Sequence, residues 1–132
     1  MYLFHGSNIP SIKILEPKYS NLVKDNVVFA GELWAAIAYT GKWNDSTIQQ
    51  GTINGIPYLK EMIPNAFADT FSNGGYLYVI PSKYFISLPC LTKFEKVSYK
   101  AVPILREIFI KEPLTILESM IRLEYYNNKG EL

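Results

Sequence analysis

Short runs of β-branched and aromatic residues cut by glycine and proline, two stretches of helical spacing, and the absence of any repeat or linker predict an α+β fold. Residues 1–132 are expected to form one domain in which the strands close on one another.

Tyr2 to Phe4 is a short apolar strand that ends at His5-Gly6-Ser7-Asn8, and Ile12 to Leu15 is a second strand stopped by Pro17. Ser20 to Asn26 reads as a polar loop. Val27 to Ala30 is too short and too β-branched for a helix and reads as a buried strand broken by Gly31. Leu33, Ala36, Ile37 and Thr40 then recur at helical spacing, so Glu32 to about Gly41 is a helix packed through a face of small residues. Lys42 to Ser46 is loop-like. Gln50 to Ile53 and Ile56 to Met62 flank Asn54-Gly55, the dipeptide suited to a type I′ hairpin turn. Pro64 to Phe71 supplies one helical turn, and Asn73-Gly74-Gly75 launches the clearest strand, Tyr76 to Ile80, which Pro81 ends. Phe94 to Tyr99 and Val102 to Ile110 complete the strands, with Pro103 marking an edge or a bulge. Pro113 opens a last helix whose Leu114, Leu117, Met120 and Ile121 share a face, a lid over one sheet. Asn127 to Leu132 are expected to fray.

Composition narrows the function classes. Apolar residues make up 48% of the chain, enough to fill one core. Lys and Arg number 13 against 12 Asp and Glu, a formal charge of +1, so a nucleic-acid partner would need a local basic patch and no overall field draws the chain to an acidic membrane. A lone Cys90 cannot form an internal disulfide, and Met1 to His5 lack the basic and long apolar regions of a signal peptide. No apolar run approaches the roughly 20 residues of a spanning helix. A soluble, cytoplasmic protein is therefore expected. One His and one Cys do not make a usual zinc set, so no metal is expected. Ten Tyr, seven Phe and two Trp suit either the walls of a small-molecule pocket or ordinary sheet faces.

His5 follows an apolar strand and precedes Gly6, whose missing side chain lets backbone approach a ligand, and Ser7, whose hydroxyl donates and accepts. His5-Gly6-Ser7, then Phe29-Ala30, then a helix carrying Ala35-Ala36 and Tyr39, resembles the His-Tyr-Glu branch of the ADP-ribosyltransferase fold, of which poly(ADP-ribose) polymerase catalytic domains are the familiar members. The match covers about the first third of the chain. The resemblance implies two packed, mostly antiparallel sheets with a few short helices and a ligand cleft. It implies that NAD is the substrate, that His5 bonds the adenosine ribose, that the Gly6 backbone holds the nicotinamide carboxamide and that Tyr39 stacks on nicotinamide. Val28 stands where many members have tyrosine, and Ala36 where many have a serine that contacts the carboxamide. The family's glutamate, which opens a late strand, is matched best by Glu95 in Phe94-Glu95-Lys96-Val97-Ser98-Tyr99, with Glu32, Glu61 and Glu107 as fallbacks: a helix start suited to capping, a hairpin end and a strand surface.

Breaking the nicotinamide–ribose bond passes through an oxocarbenium-like cation, which a carboxylate such as Glu95 stabilises. An aromatic face such as Tyr39 holds the planar leaving ring. Trp43 and Asp45 follow the pocket helix and either line the cleft or belong to a solvated loop anchored by the tryptophan. Asn73-Gly74-Gly75 is a turn before a strand and needs no ligand to explain it. Three functions stay open: an enzyme that transfers ADP-ribose to a protein, nucleic acid or small acceptor or hydrolyses NAD; a catalytically inactive module that binds a nucleotide; and a structural or partner-binding domain.

Overall fold

In chain order the strands are β1 (Tyr2–Ser7), β2 (Ile14–Leu15), β3 (Lys18–Ser20), β4 (Asp25–Gly31), β5 (Ile48–Ile53), β6 (Ile56–Glu61), β7 (Gly75–Pro81), β8 (Glu95–Ser98), β9 (Val102–Pro103), β10 (Arg106–Ile110) and β11 (Arg122–Glu124). The helices are α1 (Leu33–Ala38), α2 (Ala66–Phe71) and α3 (Pro113–Met120). This computed structural model describes residues 1–126, so the expected fraying of Asn127 to Leu132 lies outside the described residues. The fold is mixed α+β, with largely antiparallel sheets and a few short helices.

The larger sheet has the order β10-β7-β1-β4-β3, with β8 also paired to β4. β1 pairs with β7 along its whole length, from Tyr2 opposite Pro81 to Ser7 opposite Tyr76. That ladder carries the strand beyond the expected end at Phe4, so His5, Gly6 and Ser7 are strand residues. On its other edge β1 meets β4 at a single position, Phe4 opposite Gly31. β4 pairs instead with β8 through residues 28–31 and with β3 through residues 25–27. A smaller sheet, β11-β6-β5, contains the expected hairpin: Asn54 and Gly55 both have positive φ, 54° and 80°, as a type I′ turn requires.

Two cores lie on opposite faces of the larger sheet. One gathers Ile37 of α1, Phe67 of α2 and Leu117 of α3 with Leu77 of β7, Ile48 of β5 and Leu59 of β6, and so joins both sheets and all three helices. The other gathers Leu15, Val28, Ala30, Tyr78, Ile80 and Val102. Alternate residues of β7 enter different cores, which is why its sequence is apolar without a break. Complete burial of Ile37, Phe67 and Leu117 contributes about 1.5–3 kcal/mol each.

Several expectations are corrected. Val102 to Ile110 is two strands, because β9 pairs with β2 while β10 pairs with β7. Leu105, between them, donates its backbone N–H to the Val79 carbonyl at 2.9 Å. The expected strand Ile12 to Leu15 shortens to Ile14–Leu15, and the expected polar loop Ser20 to Asn26 begins and ends in strand, as β3 and β4. β11, parallel to β6, was not expected. α1 is buried at every position from Trp34 to Ala38 rather than along one face. α3 packs against α1 and α2 and, through Leu117 and Ile121, enters the core that also holds Leu77, Ile48 and Leu59 of the sheets, while Met120, expected on the same face, is exposed.

Candidate functional site

A cleft of about 430 Å³ opens where the β1–β4 ladder stops. His5, Gly6 and Ser7 line it from β1, Phe29 and Ala30 from β4, Ala35, Ala36 and Tyr39 from α1 and its end, and Glu95 from the start of β8. Its size falls among small-molecule sites, roughly 300–1,000 Å³. Among the described residues β1 has no strand partner on this edge beyond Phe4, so His5, Gly6 and Ser7 border the cleft instead of a neighbouring strand.

His5 spans the parting of the two strands. Its Nδ1 lies 2.7 Å from the Phe29 carbonyl oxygen. A carbonyl only accepts, so Nδ1 carries the proton, and in the neutral ring Nε2 is an acceptor. Burial lowers the His5 pKa below its ordinary 6.5; the Phe29 carbonyl opposes that shift and the Lys18 charge reinforces it. At neutral pH the imidazole therefore offers Nε2 to a hydroxyl donor.

Gly6 is where β1 touches α1. A Cβ built on it would lie 1.8 Å from the Ala36 carbonyl oxygen, so only glycine permits this contact between strand and helix. The same carbonyl accepts the Tyr39 backbone N–H at 3.1 Å, which fixes the residue that caps α1. Tyr39 presents a partly exposed ring, and its phenol pKa is raised to about 12 by burial first and then by the charges of Glu95 and Asp45. The phenol is thus a neutral donor throughout the physiological range.

Glu95 stands opposite Gly31 in the β4–β8 ladder, which brings a residue 64 positions further along the chain to the cleft. Burial raises its carboxyl pKa above the ordinary 4.5, and a hydrogen bond with the Thr92 side chain opposes the rise. A half-buried carboxylate at the end of an apolar cleft acts more strongly on a nearby positive charge than it would in water.

Trp43 does not line this cleft. It lies in an adjoining hollow, its ring centroid 5.2 Å from that of Tyr39, and its indole N–H donates to the Asp45 carboxylate. The fallback carboxylates lie elsewhere. Glu32 occupies the cap position of α1 but makes no side-chain capping bond. Glu61 is buried and accepts the backbone N–H of Phe67 at 2.9 Å and of Tyr126 at 2.8 Å. Glu107 accepts from the Ser11 backbone N–H at 2.7 Å and faces the Tyr78 hydroxyl at 3.0 Å. Leu22, in the turn between β3 and β4, also lines the cleft and was missed; the signal was a large apolar residue inside a polar loop.

Among the described residues no group of three or more His, Cys, Asp or Glu side chains is placed to hold a metal, and no helix is long and apolar enough to cross a membrane. No protein-family model matches the chain, and neither does any curated protein or solved structure.

Proposed function

We propose that the chain binds NAD in this cleft and breaks its nicotinamide–ribose bond, as an ADP-ribosyltransferase of the His-Tyr-Glu branch or as an NAD glycohydrolase. One observation carries the proposal: His5-Gly6-Ser7, Phe29-Ala30, Tyr39 and Glu95, from four separate elements, line a single cleft. A further hollow of about 470 Å³ shares His5, Ser7 and Phe29 with it, and in this reading the two spaces beside His5 take the two halves of the dinucleotide.

In this proposal nicotinamide stacks on Tyr39, with its carboxamide on the unpaired edge of β1 at Gly6, and the adenosine ribose gives a hydroxyl proton to Nε2 of His5. The bond between ribose C1′ and the ring nitrogen breaks, and its electron pair leaves with nicotinamide, which becomes neutral. The oxocarbenium-like ribose is stabilised by the Glu95 carboxylate, and water or another nucleophile adds to C1′ and loses a proton.

A second reading, a nucleotide-binding or interaction module without turnover, is favoured by two positions. Ala36 brings only a methyl group to the cleft wall, and Val28 is buried beside Ala30 and does not line the cleft. Release of nicotinamide from NAD by the purified protein separates the two. The enzyme releases nicotinamide and Glu95→Gln does not; equal release by both would remove Glu95 from the mechanism, and no release by either would leave the binding module.

A further inference from the structure

Beside the cleft lies a hollow of about 360 Å³ that shares Tyr39 and Glu95 with it and is walled further by Trp43, Asp45, Gln49 and Gln50. Among the described residues no Lys or Arg lines it. The Tyr39 and Trp43 rings meet at 50° and form an aromatic corner, and the indole N–H holds the Asp45 carboxylate against it. Asp45 and Glu95 line the same hollow as the Tyr39 ring, so two carboxylates border the aromatic corner. Asp45 and Gln49 are exposed, and the hollow is open to a side chain presented from outside.

A planar cation meets this combination: it stacks on aromatic faces, and its fan of N–H donors reaches carboxylates and amide oxygens together. An ammonium is drawn to an aromatic face as a point charge but neither stacks flat on it nor spreads a planar fork of donors, and an uncharged amide leaves two carboxylates uncompensated. We propose that the hollow binds the guanidinium of an arginine side chain and presents it as the acceptor of ADP-ribose; the second half of the proposal rests on the NAD reading of the cleft. In the transfer a guanidinium nitrogen forms the bond to ribose C1′ as the bond from C1′ to nicotinamide breaks. The electron pair leaves with nicotinamide, and the proton lost by the attacking nitrogen goes to Glu95 and then to solvent. Glu95, lining both spaces, serves both the leaving and the attacking sides.

The test uses three probes with one tail and different heads: butylguanidine, butylamine and butylurea, titrated against the whole chain by NMR. Butylguanidine is expected to bind at least about tenfold more tightly than either other probe, and Asp45→Asn to weaken it at least about fivefold. Equal binding of the three probes by the wild-type chain overturns the site, whatever the behaviour of the variant. With NAD added, one ADP-ribosyl-butylguanidine per nicotinamide released supports the acceptor role. Nicotinamide release with no adduct overturns that role. Guanidine-selective binding in a chain that releases no nicotinamide under any condition establishes the guanidinium site and overturns both the acceptor role and the enzyme reading.

Discussion

A methyl group placed on Gly6 would sit inside the carbonyl of Ala36. The built Cβ lies 1.8 Å from that oxygen, 2.9 Å from its carbon and 3.0 Å from the Thr40 nitrogen, so the strand and helix must part by about 1.6 Å to restore ordinary contact. The obstacle is backbone, which cannot swing aside, and α1 is buried from Trp34 to Ala38 and cannot retreat without disturbing the core. Overpacking of this kind costs about 3 kcal/mol, the upper end of the usual range. That is a large part of a domain's total of roughly 5–15 kcal/mol, and for a chain of this length it lowers Tm by roughly 10 °C. Gly55→Ala is the comparison: it also meets positive φ, but nothing lies within 4 Å of the new Cβ, so about 1 kcal/mol and roughly 3 °C are expected. Thermal unfolding followed by circular dichroism reads both. Equal losses of Tm in the two variants would refute the close approach of β1 to α1, and with it the account of how Tyr39 is positioned.

Burial keeps the folded-state pKa of His5 below its unfolded value of 6.5, so its contribution to stability is complete above that pH and is lost as pH falls through the folded value. His5→Gln should therefore lose less Tm between pH 7 and pH 5 than the wild type, and parallel profiles would contradict the buried neutral imidazole. Glu95 has the opposite sign. Its raised pKa favours the folded state at low pH and opposes it as the carboxyl ionises, so Glu95→Gln should raise Tm at pH 8 while abolishing nicotinamide release; a fall in Tm at that pH would contradict the cost of burying the charge. Glu61→Leu strands two backbone N–H groups, those of Phe67 and Tyr126, and should cost about 3 kcal/mol in denaturant unfolding, whereas a loss under about 0.5 kcal/mol would show that neither bond matters.

Local signals made much of the fold legible. The Asn54-Gly55 turn, the strand at Tyr76 to Ile80 and the helices near Leu33 and Pro113 follow from turn chemistry and periodicity, which act over a few residues. What escaped depends on distant partners. β3 and β11 are three residues each and are strands because β4 and β6 lie beside them, and Val102 to Ile110 divides because its two ends pair with different strands. The candidate site shows the same division. His5, Gly6 and Tyr39 stand out by motif, but that Glu95 meets them rests on its register opposite Gly31, which no local pattern encodes. Glu61 had the sequence context of a hairpin end, which says nothing of its burial; it is buried because the N-terminus of α2 and the backbone of Tyr126 converge on it.

Calorimetric titration of the chain with NAD decides whether the cleft is a dinucleotide site, since the proposed enzyme and the binding module both require it to hold NAD. Saturable one-to-one binding is expected, weakening roughly tenfold in Tyr39→Ala, where the stacking face is lost, and persisting in Glu95→Gln. Absence of NAD binding by the wild-type chain, or equal affinity in Tyr39→Ala, would contradict the NAD reading of the cleft.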